Sequence, residues 1–100
     1  MLKRAQTDYR DPQMSLQYLA DEYKTTPAYL GRIFKKETGS SFNDFLTGIR
    51  IEKACALLRR TDLRGTELSG MLGFSSYNYF YMVFRKKMGM NPMEYREHTL

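Results

Sequence analysis

Residues 30–45 of this chain, laid over residues 80–95, match without a gap at an offset of 50. Leu30 falls on Phe80, Ile33 on Val83 and Phe34 on Phe84; Lys35-Lys36 falls on Arg85-Lys86, Gly39 on Gly89 and Phe45 on Tyr95. The preceding stretches also correspond, Leu19-Ala20 with Leu68-Ser69, once the turn of the second copy is allowed one extra residue. A repeat of this size means two copies of one supersecondary unit. Whatever the first copy folds into, the second must fold into as well.

The period inside each copy says what that unit is. Ser15 stands as an N-cap before Leu16, Leu19, Ala20 and Tyr23, spaced i, i+3, i+4 and i+7. Lys24-Thr25 is a tight break, and Thr26-Pro27 restarts a helix as a cap followed by proline at the first helical position. Leu30, Ile33 and Phe34 form its inward stripe and Gly39 its stop. Two helices across a turn this short are a helix-turn-helix. Between the copies, Ser41-Phe-Asn-Asp44 is a helix start signal. The pattern then runs to about Arg60, with Phe42, Phe45, Leu46, Ile49, Ala54, Leu57 and Leu58 on the apolar side and Lys53, Arg59 and Arg60 outside. Thr61 to Gly65 is a turn. Gly65 or Thr66 opens a helix with Leu68, Ser69, Met71 and Leu72 inside, ended by Gly73-Phe74.

Ser75-Ser76 then cap a helix that Gly89 closes. Phe80, Val83 and Phe84, with Lys87 at the margin, line one face, and Asn78, Tyr81, Met82 and Arg85 the other. Tyr79 is expected to turn towards the core. Asn91-Pro92 begins the last helix, which carries Met93, Tyr95 and Arg96. Leu2, Ala5 and Tyr9 suggest a first short helix ending before Asp11-Pro12. No strand-type alternation occurs. The expected fold is all-α: about seven helices in a single domain of residues 1–100, with helix-turn-helix units in 1–40 and 61–100 joined by a long helix over 41–60. The opening Met-Leu-Lys-Arg-Ala-Gln reads as the continuation of a longer chain, so a further N-terminal domain is expected outside this stretch.

The net charge of +5, from 16 Lys/Arg against 11 Asp/Glu, favours an anionic partner. One cysteine, Cys55, excludes an internal disulfide, suits a reducing cytoplasm and reads as a small buried hydrophobe. No apolar run approaches the roughly 18 residues of a membrane span, and no signal peptide is visible. No Cys/His cluster has metal-ligand spacing, no glycine loop cradles phosphate, and no Ser or Cys has a base partner; His98 stands alone. An enzyme is not expected, nor a metal or a cofactor.

The exposed faces carry the chemistry of DNA recognition instead. Ala28, Gly31, Arg32 and Lys35 oppose the first inward stripe. Arg32 can donate two parallel hydrogen bonds to guanine O6 and N7, and the small neighbours let the helix come close. On the second helix Tyr77, Asn78, Tyr81 and Met82 occupy the equivalent surface; Asn78 can read adenine, and Tyr81 and Met82 can pack on a thymine methyl. Lys36, Arg85, Lys86 and Lys87 lie towards helix ends, where phosphates are nearer than bases. The capped N-termini at Thr26, Ser41 and Ser75/Ser76 present backbone N–H groups to phosphate. About 18 residues of joining helix span roughly 27 Å. With the width of the units added, the two presenting helices lie about one DNA turn, near 34 Å, apart. Two other classes compete. A protein-interaction module would dock the tyrosine-rich face of residues 77–81 on RNA polymerase or a partner domain. A non-specific nucleic-acid binder would use charge alone.

The motifs together resemble one family, the DNA-binding domain of AraC-type bacterial transcription regulators. The resemblance is carried by Ser15-Leu-Gln-Tyr-Leu-Ala20, Tyr29-Leu-Gly-Arg-Ile-Phe-Lys-Lys-Glu-Thr-Gly39, Phe42-Asn-Asp-Phe-Leu46 and Arg50-Ile-Glu-Lys-Ala54. Leu57-Leu-Arg-Arg-Thr-Asp62, Gly73-Phe-Ser-Ser76, Tyr79-Phe80, Phe84-Arg-Lys-Lys-Met-Gly89 and Asn91-Pro92-Met-Glu-Tyr-Arg96 continue it. It covers about residues 14–96. It implies homeodomain-like subdomains whose helices 27–37 and 76–88 enter successive major grooves, with base contacts at Ala28, Gly31 and Arg32 and at Tyr77, Asn78, Tyr81 and Met82. It also implies a sensing, ligand-binding or phosphoacceptor domain on the N-terminal side. The chain departs from the family pattern where Met82 replaces a frequent Arg, Ser69 a usual Ala, and Gly31 a longer polar side chain. The first unit is therefore expected to read bases mainly through Arg32, and the second to lean on Asn78, apolar contacts and phosphates.

Overall fold

The computed structural model describes residues 2–99, and every regular element among them is a helix. In order these are α1 (Leu2–Asp8), α2 (Leu16–Glu22), α3 (Pro27–Thr38), α4 (Phe42–Arg60), α5 (Gly65–Met71), α6 (Tyr77–Met88) and α7 (Pro92–His98). Side-chain caps fix the starts. Ser15, Thr26, Ser41 and Ser76 accept the N–H of the residue three positions on, and Asn91 does the same for Glu94. Glu94 and Glu67 return the favour, their carboxylates accepting from the N–H of Asn91 and Arg64. Gly39 and Gly89 end α3 and α6 at φ 82° and 77°, so the 50-residue offset recurs in the backbone itself.

The packing repeats too. Phe34 and Phe84 are fully buried, and each meets the following helix edge-on: Phe34 against Phe45 at 5.2 Å, Phe84 against Tyr95 at 5.6 Å. Leu19-Ala20 and Leu68-Ser69 are buried in corresponding places. A single core cluster joins both units, and α4 contributes to it along its whole length, from Phe42 and Leu46 to Ala54, Cys55 and Leu58. The molecule is accordingly elongated, 45 × 23 × 21 Å. α1 completes the first unit by burying Ala5 and, just beyond its end, Tyr9, and Arg4 pairs with Asp8 (2.9 Å) and with Glu22 of α2. The side chain of Leu2 lies outside the described residues.

Several expected inward positions are exposed. Tyr23 (47 % exposed) sits at the C-cap of α2, where the chain has begun to turn. Met71 (43 %) ends α5, whose inward arc is occupied by Leu68, Ser69 and Leu72. Lys87 is exposed rather than marginal to the core. Conversely, Arg50, Thr47 and Ile51 of α4 are buried without having been expected there.

Candidate nucleic-acid interface

α3 and α6 are equal in length, 12 residues each, and equal in how they are held. One face of each is pinned into the core by Leu30 and Phe34 or by Phe80 and Phe84. On the other face of α3, Ala28, Arg32, Lys35 and Lys36 are exposed. Asn78, Met82, Arg85 and Lys86 are exposed on α6, Met82 at 64 %. The cap residues Thr26, Ser41, Ser75 and Ser76 also reach the surface. Three of them accept the N–H of Tyr29, Asp44 and Tyr79, which satisfies one of the first-turn N–H groups that lack an intrahelical partner in each helix.

Among the described residues, the side-chain ion pairs are those of Arg4. Among the described residues, the cations of α3 and α6 therefore form no ion pair with a carboxylate. Two other arginines are consumed internally. Arg50 donates to the carbonyls of Tyr9 (2.7 Å) and Asp11 (2.9 Å), and Arg96 to those of Leu58 (2.9 Å) and Leu63 (2.8 Å). Burial lowers the pKa of Arg50 from its ordinary value, a cost its two carbonyl partners and the Phe74 ring 5.6 Å away offset.

Three of the expected residues do more than face outward. Gly31 is half-buried, and a Cβ there would lie 3.0 Å from Leu16 Cδ2, so its missing side chain serves the α2–α3 crossing. Tyr77 is half-buried against the core, its ring over Gly65, where a Cβ would come within 2.4 Å. The ring of Tyr81 packs beside it, tilted by 59° with centroids 6.1 Å apart. Tyr77, expected on the outward face, is thus only partly exposed, because the glycine opening α5 makes a seat that draws the ring in. Tyr79, expected in the core, only half enters it, 5.9 Å from Phe74, and lines the space between the units beside Asn43 and Thr47.

Sequence reasoning passed over Asn43 and the exposed Tyr29 (51 %). Nothing in helical spacing marks Asn43, since its position between α3 and α6 exists only once the units are packed on α4. Cys55 is buried as expected, and burial raises its thiol pKa, the opposite of what a nucleophile needs. No helix of the described residues is long and apolar enough to cross a membrane.

A family model described as a helix-turn-helix domain matches residues 19–98. The chain is 34 % identical over 99 residues to the uncharacterized transcriptional regulatory protein YesN of Bacillus subtilis (strain 168), covering 96 % of this chain and 27 % of that protein. It thus spans about a quarter of the length of that relative. Among solved structures, the C-terminal domain of AraT, a response regulator from Geobacillus stearothermophilus, superposes with a TM-score of 0.92 at 35 % identity, over 97 % of this chain and 80 % of that one. The DNA-binding domain of AdpA, a global transcriptional factor solved with a target DNA, superposes at 0.85 with 28 % identity, over 94 % and 84 %. The family is one of transcription-regulator domains rather than of enzymes. With its doubled unit, its shared linking helix and these matches, the chain belongs to the AraC-type helix-turn-helix family.

Proposed function

We propose that this chain binds double-stranded DNA at specific sequences and regulates transcription, with α3 and α6 in successive major grooves on one side of the duplex. The observation that carries the reading is the pair of similarly capped, 12-residue helices whose exposed faces bear cations that form no ion pair among the described residues. The likeness to AdpA's DNA-binding domain supports it. α4 has 19 residues, so it spans about 28 Å, the right order for helices one DNA turn apart once the width of the units is added.

On this reading Arg32 reads guanine from α3 with Ala28 and Gly31 allowing close approach, and Asn78 reads adenine from α6 while Tyr81 and Met82 pack on thymine methyls, with Tyr77 steadying Tyr81. Lys35, Lys36, Arg85 and Lys86, with the capped ends at Thr26, Ser41, Ser75 and Ser76, hold phosphates. Residues 1–100 act as a single domain in the cytoplasm, and a sensing or receiver domain precedes them in the full protein. RNA polymerase is the further partner expected of such a regulator.

Selection from a random duplex library tests the reading. Recovery of two half-sites about one turn apart, bound far better than random DNA and weakening steeply with salt, is the expected result. Binding without sequence preference would leave a charge-driven binder; no binding at low salt would favour a protein-docking module. On the recovered site, Arg32→Ala loses about 1–3 kcal/mol of discrimination and Met82→Ala less than about 1 kcal/mol. Equal losses would overturn the division of labour between the units.

A further inference from the structure

The connection between α1 and α2 belongs to the first unit, yet its backbone lies against the second. Tyr9 is buried there, and two turn bonds stiffen the connection, Asp11 N–H to the Asp8 carbonyl and Met14 N–H to that of Asp11, 3.0 Å each. Facing it is Gly73, in the turn that leads into α6. A Cβ at Gly73 would stand 2.8 Å from the Tyr9 carbonyl oxygen and 2.9 Å from that of Arg10. Arg50 of α4 joins the two sides. It donates to the carbonyls of Tyr9 and Asp11 and lies over the ring of Phe74, which in turn packs on Tyr79 at 5.9 Å and Phe80 at 5.1 Å in α6. The first unit thus meets the turn that opens α6 backbone to backbone.

We infer that this clasp fixes the direction of α6 relative to α3 and so sets the half-site spacing that the protein accepts, with Arg50 and Gly73 as positioning residues that touch no DNA. Units joined through one element move relative to one another unless further contacts hold them. α4 sets how far apart the two units stand, and the clasp holds the second against rotation about that helix. Both positioning residues are suited to this by their chemistry. Only a residue without Cβ lets the two backbones meet, and at φ 87° it also takes the left-handed region at little cost. The planar fork of Arg50 matches two carbonyl acceptors two residues apart. Spacing is sensitive to such rigidity. Each added base pair shifts a half-site by about 3.4 Å and turns it by about 34° around the duplex. A rigid pair of helices therefore engages both half-sites at one spacing. The consequence for spacing rests on the DNA-binding reading; the rigidity does not.

The test uses the whole chain and two readouts, one without DNA. Glu37 and Met88 are exposed near the ends of α3 and α6. Nitroxides on Glu37→Cys and Met88→Cys, with Cys55→Ala, report the distance between the two helices by double electron–electron resonance. The otherwise wild-type chain should give one sharp distance, which Arg50→Lys and Gly73→Ala should broaden. The second readout is affinity for a duplex recovered by the selection above, with one base pair added or removed between the half-sites. Wild-type protein should lose about 10- to 100-fold on the altered spacings. Arg50→Lys and Gly73→Ala should bind the original duplex about three- to tenfold more weakly and lose less than about threefold on the altered ones. Leu19→Val, a core change within the first unit, should keep the wild-type distance and spacing preference. A broad distance in the otherwise wild-type chain would overturn the clasp, whether or not the variants fold. So would wild-type behaviour in both clasp variants, or the same relaxed spacing in Leu19→Val. If no paired sites are recovered while the distance is sharp and broadens in the variants, the DNA reading falls and the clasp stands.

Discussion

Arg50 shows how much a single side chain can organise here. Its guanidinium is buried on α4, bonds the carbonyls of Tyr9 and Asp11, and lies over the ring of Phe74. It thereby ties the α1–α2 connection to α4 and to the turn after α5. Gly73 completes the knot. At φ 87° it occupies the left-handed region, and a Cβ there would stand 2.8 Å from the Tyr9 carbonyl oxygen and 2.9 Å from both the Arg10 carbonyl oxygen and Arg50 Nη2. Arg50→Met should cost about 2–4 kcal/mol in urea unfolding, because it strands the buried carbonyl of Tyr9 and the part-buried one of Asp11. Arg50→Lys should not restore it, since an ammonium cannot match the fork that spans both acceptors. Gly73→Ala should cost a similar amount through strain and overlap. Losses under about 0.5 kcal/mol would mean that water replaces these contacts.

Elements compare most directly between the two units. α2 turns into α3 through Lys24 at φ 56°, and α5 turns into α6 through Gly73 at φ 87°; the residue after each closes the same bond, Thr25 N–H to Ala20 and Phe74 N–H to Ser69. The first unit does with a strained lysine what the second does with glycine. Lys24→Gly should therefore raise stability by a few tenths to about 1 kcal/mol, measured by thermal or urea unfolding. α5 carries the opposite flaw. Gly70 is exposed, and a Cβ there would meet nothing within 4 Å, so Gly70→Ala should stabilise by about 0.5–1 kcal/mol. A loss from Gly70→Ala would show that α5 must bend or fray. α4 behaves differently from both. Its buried positions drift around the axis by nearly half a turn between Phe42 and Leu58, as its first half serves one unit and its second half the other.

At the scale of the molecule, that drift makes α4 a shared spine. It packs against α1 and α3 on one side and against α5, α6 and α7 on the other, and the buried residues of both units form one cluster. Unfolding should therefore be a single cooperative transition, with far-UV circular dichroism and tyrosine fluorescence coincident. Two separated transitions would show that each helix-turn-helix folds alone and α4 merely tethers them. The surface chemistry also belongs to this scale. The excess of five cations shows at the surface because those of α3 and α6 form no ion pair among the described residues, while Arg50 and Arg96 are withdrawn into backbone contacts.

Helix boundaries, caps, the two turns and the doubled unit were legible in the amino-acid sequence because they depend on neighbours three or four residues away. Ser15, Thr26, Ser41 and Asn91 act on the next turn of their own helix, and Gly39 and Gly89 on the last. The inward faces of α3 and α6 were legible for the same reason, each meeting one core from one side. Burial of Arg50, Thr47 and Ile51 was not, because a helix that faces two cores has no single apolar stripe to read. Nor was the seat that Gly65 makes for Tyr77, or the place of Asn43 and Lys87 between the presenting helices. Those follow from residues far apart in the chain, brought together only when both units close on α4.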